Sequence, residues 1–301
     1  MKETAFPFRA DESAKAGVLR LADDLIGAAL RRARRPSRNP AEDVHFFRAT
    51  TKRLRALLQL IRPVIARTAF ESENARLKRA AFRLAPFRDC AVARETLKAL
   101  GQSAAVLWKI CRVDSTDKAQ AKGDPRGAMR AAAHDLEQSR RGFRRMRIRG
   151  ESWDAIGPGL MTTYTQARNR MKAAIADPSD PAFHRWRIRV KQLCYQLHWL
   201  EAVWPKRFGR MLKRLRKLEG KLGGDHDLVI LRTLLETTPG TCDADVIKQV
   251  KKSAAKASRR LRRAGERLGA KALRETPRRF RRGCEKRWGT VSPFGRGVGG
   301  G

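Results

Sequence analysis

The sequence predicts an all-α protein made of two helical bundles related by a pseudo-twofold axis. The alternation of apolar and polar residues that marks a half-buried strand is missing nearly everywhere, whereas long Ala-, Leu- and Arg-rich segments repeat with a helical period. The segment "HFFRATTKRLRALL", which begins at His45, returns as "HRWRIRVKQLCYQL" from His184. The 301 residues are 42% hydrophobic, which is enough to form a sizeable core.

The helical period predicts ten helices. Two of them follow the segments "NPA" at 39–41 and "DPA" at 180–182, which place a capping Asn or Asp before a proline in the first turn. The predicted helices are 13–34, 41–66, 71–84, 88–100, 127–147, 152–176, 182–203, 206–222, 225–236 and 244–271.

The domain organisation follows from the order of these helices. We expect one helical domain over residues 1–271, with a first repeat at about 13–147 and a second at about 152–271. The polar stretch 114–125 is predicted to be a loop. The chain becomes arginine-rich near its end and closes with "GRGVGGG", so 272–301 is predicted to be a basic, flexible tail.

The internal repeat extends well beyond the two quoted segments. His45 and His184 lie 139 residues apart, and the offset later becomes 138. A single one-residue slip over four helices is hard to obtain by chance, so we interpret the chain as two copies of one helical unit. The matched pairs are Arg48/Arg187, Lys52/Lys191, Arg76/Arg214, Arg79/Lys217, Arg83/Lys221 and Asp89/Asp227.

The net charge indicates a polyanionic partner. Lys and Arg together number 68 against 30 Asp and Glu, a formal charge of +38. That value far exceeds the modest net charge that keeps a domain in solution, and a bound polyanion would offset the self-repulsion. The candidate partners from charge alone are an anionic membrane surface, nucleic acid and inorganic polyphosphate.

Cationic side chains form stripes on the repeated helices. Arg48, Lys52 and Arg55 fall within an arc of about 80° on a helical wheel, opposite the apolar positions. Like charges one turn apart repel by a few tenths of a kcal/mol, and no acid is interspersed within these stripes, so an anion lying along them would be stabilising. Besides these three residues, the predicted anion-binding residues are His45, Arg76, Arg79, Arg83, His184, Arg187, Lys191, His198, Arg214, Lys217 and Lys221.

The cysteines and the lengths of the apolar runs predict where in the cell the protein is located. The five cysteines are scattered and form no CxxC pair, which favours neither a disulfide framework nor a zinc site and is typical of a reducing cytoplasm. No apolar run approaches the roughly 18 residues needed to span a bilayer. The N-terminal "MKETAFPFRADES" lacks the apolar segment of a secretory signal.

The two motif segments resemble those of the CHAD domain (conserved histidine α-helical domain) family. The resemblance is carried by "VHFFRATTKRLRALL" and "FHRWRIRVKQLCYQL", each followed by a helix pair that ends in "LAPFRDCAV" or "LGGDHDLVI". The second copy departs from the family pattern at Gln192 and Cys194, so we expect its half of the site to bind more weakly. The family pattern H-x-x-R-x-x-x-[KR]-[KR]-x-R is met in full by His45, Arg48, Lys52, Arg53 and Arg55.

The resemblance covers roughly residues 13 to 271. It implies two four-helix bundles around a basic central groove or pore that binds inorganic polyphosphate, and an association with polyphosphate granules. It also implies that Arg53 belongs to the site and that Asp89 and Asp227 orient nearby cations. No cofactor and no metal are expected.

Two alternative functions stay open. A histidine-dependent phosphohydrolase would need an acid beside its nucleophile, which both stripes lack, and a cationic groove would repel a metal ion, so we expect no enzymatic activity. Non-specific nucleic-acid binding is the second alternative, because counterion release favours it for any chain of charge +38. The basic tail offers a surface for such contacts.

Overall fold

Helices dominate the computed structural model, which describes residues 7–9, 11–101, 124–237 and 244–291, without the side chains of 88–91 and 291. The described ranges contain ten α-helices and no strand, which confirms the all-α fold class. Two short 3₁₀ turns, Arg62–Val64 and Glu201–Val203, follow the second and seventh helices. The helices are α1 (Ala14–Arg34), α2 (Pro40–Ile61), α3 (Arg67–Phe82), α4 (Pro86–Ala99), α5 (Pro125–Arg145), α6 (Trp153–Ala176), α7 (Asp180–Trp199), α8 (Pro205–Thr237), α9 (Ala244–Ala272) and α10 (Pro277–Val291).

One of the two predicted helix N-caps is present in the structure. Asn39 caps α2 as predicted, because its Oδ1 accepts a hydrogen bond of 3.1 Å from the backbone of Ala41. The second expected cap is wrong, since Asp180 is already the first residue of α7. Its carboxylate instead accepts hydrogen bonds from Arg232, at 2.8 Å, and from Arg262. Tertiary ion pairs have taken the place of a local cap.

One predicted helix break does not occur. Segments 206–222 and 225–236 form the single helix α8, which runs through Gly223 and Gly224. At Gly224 a Cβ atom would lie 3.3 Å from a methyl group of Leu261 on α9, so the two helices pack closely there. This packing stabilises helical backbone at a position where local propensity favours a break.

The prediction of a flexible tail from residue 272 is wrong for residues 277–291, which form α10. Phe280, Cys284 and Trp288 lie one helical turn apart and are 0%, 2% and 5% exposed. Phe280 stacks on Tyr164 with 4.1 Å between ring centroids. Burial raises the pKa of the Cys284 thiol to about 12, so this cysteine acts as an apolar core residue. Residues 292–301 lie outside the described ranges.

The helices pack in two groups joined by one continuous core. Helices α1, α2, α3 and α5 form the first group, α6 to α9 form the second, and α2 packs on both α6 and α7. Helix α4 packs on α8 and forms a smaller core around Leu97 and Leu231. Helices α1 and α6 begin 139 residues apart, and α3 and α8 begin 138 apart. Superposition of the two groups by a twofold axis stays a prediction.

Within the described ranges, no helix is both long enough and apolar enough to cross a lipid bilayer.

The contact between α2 and α6 leads to a prediction about stability. A Cβ atom at Gly159 would overlap the backbone oxygen of Leu60, whereas one at Gly220 on α8 would have no atom within 4 Å. We therefore expect Gly159→Ala to destabilise the fold by about 3 kcal/mol. Gly220→Ala is expected to stabilise it by about 0.5–1 kcal/mol, since it only restricts the unfolded chain. Urea unfolding measures both changes, and equal midpoints for the two variants would contradict the close packing of α2 on α6.

Candidate functional site

A groove of about 730 Å³ runs between α2 and α3. Six of the ten residues that line it are cationic, three from α2 and three from α3 and its C-cap, and none is acidic. We call it the α2–α3 groove. Its lining residues are Arg48, Thr51, Lys52, Arg55, Lys78, Arg79, Ala81, Phe82, Arg83 and Ala85.

The helical period explains why these cations share one surface. On α2, Arg48, Lys52 and Arg55 recur one turn apart, while Leu54 is fully buried on another face. On α3, Leu77 is likewise fully buried, so the neighbouring lysine and arginines are turned away from the core. The packing of α2 on α3 then brings the two cationic faces together.

Neutral acceptors hold two of the guanidinium groups in place. Arg48 donates from Nη1 to the backbone oxygen of Ala81 at 3.3 Å, and Arg55 donates from Nε to Asn74 Oδ1 at 3.1 Å. Burial lowers the pKa of Arg55, and no carboxylate among the described residues pairs with it. A hydrogen bond to a neutral group orients a cation without cancelling its charge.

Three of the predicted cations pair with acidic residues. Arg83 donates to Asp135 on α5 at 2.9 Å, and Arg76 pairs with Glu73. Lys191 lies 2.7 Å from Glu219. The expectation of stripes without acids is therefore wrong for these three cations, because the carboxylates lie on a neighbouring turn or on another helix.

The positive region continues from the groove toward α7. Arg189 lies on that helix, and its pKa is lowered by burial and then by repulsion from Arg170, Arg62 and Arg55. Its Nη1 donates to Gln192 Oε1 at 2.8 Å, again a neutral partner. Because Arg55 also lines the α2–α3 groove, it connects the groove to this arginine cluster.

The two motif histidines occupy different environments. His45 is exposed near the start of α2, whereas His184 is half-buried, with its ring 4.5 Å from that of His226. The pKa of His184 is lowered by burial and then by Arg187, Arg185 and Lys52. Lys52 lies in the first repeat, and its charge thus lowers the pKa of the motif histidine of the second repeat.

A second cleft of only about 60 Å³ contains other residues of the predicted site. Arg53 and Lys191 both lie over the ring of Tyr195, at 5.7 and 5.8 Å from its centroid. The cleft has room for about two water molecules. Its acid, Glu219, occupies the repeat position of Ala81, which lines the larger groove. The cleft is lined by Leu25, Arg53, Lys191, Cys194, Tyr195, His198, Trp199, Arg216 and Glu219.

The remaining predicted residues are spread over the second half of the chain. Arg187 is buried, at 8% exposed. Asp227 lines a further cleft of about 290 Å³ together with Glu95 and Arg260, and the side chain of Asp89 lies outside the described residues. Three predicted cations are exposed along α8, namely Arg214, Lys217 and Lys221.

Sequence reasoning missed several residues of this region. Arg62 continues the α2 stripe seven residues after Arg55, and Lys78 directly precedes the predicted Arg79, so both could have been identified from the helical period. Phe82 was not considered, although it lies among the α3 cations. The proximity of Arg189 to the stripe could be recognised only from the packing of α7.

No cluster of three potential metal ligands occurs within the described ranges.

Comparison with known proteins gives two similarities and one negative result. A family model described as "CHAD domain" matches residues 17–236. The chain is also similar to the crystal structure of the CHAD domain from the plant Ricinus communis, with a TM-score of 0.62 and 20% sequence identity over 92% of this chain and 96% of that chain. At this identity the likeness concerns the fold. No curated protein matches the sequence.

Proposed function

The chain belongs to the CHAD domain family, and on that premise we propose that it binds inorganic polyphosphate in the α2–α3 groove without hydrolysing it. The observation that carries this proposal is the lining of the groove. Six cations from α2, α3 and the C-cap of α3 line a single groove, and no carboxylate is among the lining residues. An anion bound there forms charge-assisted hydrogen bonds and relieves the repulsion between the cations.

The spacing of the cations suits a polymer with regularly repeated charges. From Arg48 to Lys52 the helix rises by about 6 Å, and from Lys52 to Arg55 by about 4.5 Å. Successive phosphates of a flexible chain can therefore meet successive turns. Arginine offers two parallel donors and lysine a point charge, a combination that suits a ligand without sequence.

The chemistry of the lining supports binding rather than hydrolysis. Apart from arginine and lysine, the groove contains only Thr51, Phe82 and two alanines. The Thr51 hydroxyl donates to the backbone oxygen of Arg48 at 3.0 Å. None of these side chains is a general base with a pKa near neutrality, which activation of water would require. Because the cationic lining of the groove suits polyphosphate, we also propose that the protein associates with polyphosphate granules.

A competition experiment tests the proposal. Long-chain polyphosphate, duplex DNA and RNA compete for the protein at matched phosphate concentration and physiological salt. We expect polyphosphate to compete better than duplex DNA, because a flexible chain can enter a groove that a stiff duplex cannot. Equal competition by duplex DNA would indicate diffuse charge attraction. Orthophosphate release that is lost in His45→Ala would overturn the proposal of binding without hydrolysis.

The environment of His184 leads to a prediction about pH. In the free protein its pKa is lowered by burial and then by repulsion from Arg187, Arg185 and Lys52. A bound polyanion offsets that repulsion, so we expect the pKa of His184 to rise on binding. By linkage, the affinity should then increase as the pH falls through the range in which histidine titrates, about 7 to 5. NMR titration of the histidine ring protons measures the change, and the exposed His134 on α5 serves as the control. An unchanged His184 pKa in the saturated complex would contradict this prediction.

A further inference from the structure

An aromatic side chain lies exposed among the cations of the α2–α3 groove. Phe82 is the last residue of α3, lines the groove and is 79% exposed. Large exposed apolar side chains are rare in the described ranges, where the other example is Ile175 at 47%. No aromatic ring and no cation of the described residues stacks on Phe82, so the face of its ring is accessible.

Packing does not explain this phenylalanine. Leu77, Ala80 and Leu84 form the core-facing side of this segment and are fully buried. At the corresponding repeat position the second copy has Gly220, where a Cβ atom would have no atom within 4 Å. The fold therefore has no need of an aromatic residue at this position.

We propose that the α2–α3 groove binds single-stranded nucleic acid, with one base stacked on Phe82 and the backbone phosphates on the surrounding cations. An aromatic platform inside a positively charged groove is the arrangement that binds unpaired bases regardless of sequence. Polyphosphate has no base and leaves the ring of Phe82 unused. A duplex keeps its bases stacked internally and cannot present one to the ring.

The dimensions of the groove favour a strand over a free nucleotide. A volume of about 730 Å³ is large enough for a nucleotide unit. From Arg48 to Arg55 the α2 stripe rises by about 10 Å within the groove, and Arg62, just beyond the end of α2 and outside the groove lining, extends the row of cations. A tract of that length can contact several successive phosphates.

This inference does not depend on polyphosphate binding, although both ligands would use the same cations. The two proposals differ only in the role of Phe82. Nucleic acid is expected to need the aromatic ring, and polyphosphate is expected to be indifferent to it.

The test uses the full chain and three ligands. These are a fluorescent single-stranded RNA of about twelve nucleotides, an abasic strand of the same length and charge, and long-chain polyphosphate. Phe82→Ala is compared with Ile175→Ala, which removes the other exposed apolar side chain, and with Phe82→Trp, which keeps an aromatic ring. Binding is measured by fluorescence anisotropy for the two strands and by competition for polyphosphate.

We expect Phe82→Ala to weaken binding of the base-bearing RNA about tenfold and to leave the abasic strand and polyphosphate within about twofold. Ile175→Ala and Phe82→Trp should retain wild-type affinity for all three ligands. Equal losses for the base-bearing and abasic strands would overturn the inference, and so would an RNA affinity that does not depend on Phe82. If RNA binds through Phe82 while polyphosphate does not bind, the proposed function fails and this inference stands.

Discussion

The double variant Lys78→Glu/Arg79→Glu is expected to weaken binding of long-chain polyphosphate by about 3 kcal/mol or more, which is over a hundredfold. Both residues line the α2–α3 groove, and both are exposed. Neither forms an ion pair within the described ranges, so the reversal removes ligand contacts without breaking a pair in the fold. By contrast, reversing Arg83 would place an acid beside Asp135 and disturb the packing of α3 on α5.

The matched control lies on α9. Lys256 and Arg259 are exposed, form no ion pair in the described part of the chain, and again comprise one lysine and one arginine. Lys256→Glu/Arg259→Glu therefore changes the net charge by the same amount at a distance from the groove lining. At physiological salt, where long-range effects are screened, we expect a loss of less than about fivefold. Equal losses from the two double variants would mean that affinity comes from overall charge and that no site exists.

Two adjacent residues of α2 provide a sharper comparison. Lys52 lines the α2–α3 groove, whereas Arg53 lies over Tyr195 in the smaller cleft. The family pattern assigns both to the site. We expect Lys52→Ala to weaken polyphosphate binding clearly more than Arg53→Ala does. The reverse order, measured under the same conditions, would place the ligand in the cleft.

Phe280→Ala on α10 is expected to destabilise the fold by about 3–5 kcal/mol. The ring is fully buried and stacks on Tyr164, so its removal leaves a cavity between α10 and α6. Truncation after Thr276 should cost more, since it also exposes the surface that Trp288 covers. Both losses are a substantial fraction of the roughly 5–15 kcal/mol that typically separate folded from unfolded domains.

The control for this prediction is Arg282→Ala, on the exposed side of the same helix. It removes one charge and no buried contact, so the free energy of unfolding should change by less than about 0.5 kcal/mol. Urea unfolding followed by circular dichroism measures all three proteins. A truncated chain as stable as the full chain would show that α10 is peripheral, as its composition suggested.

Local periodicity made much of this protein predictable. The spacing of leucines and arginines along α2 predicts both the helix and the face on which Arg48, Lys52 and Arg55 lie, because a helical period depends only on neighbouring residues. The same spacing failed for α10, where only four apolar residues recur among arginines and the composition resembled that of a tail. Composition averages over both faces of a helix, and the buried face of α10 is narrow.

The sequence by itself determined the fold class, the family and the orientation of each cationic stripe on its own helix. Only the tertiary structure decided which stripes share a groove and which cations meet an acid. Lys52 and Arg53 are neighbours in the chain, yet they line different cavities. Lys191 is matched to Lys52 in the repeat but pairs with Glu219, 28 residues further along. A helical wheel gives angles within one helix, whereas electrostatic partners are set by the packing of helices distant in sequence, and that packing depends on the whole core.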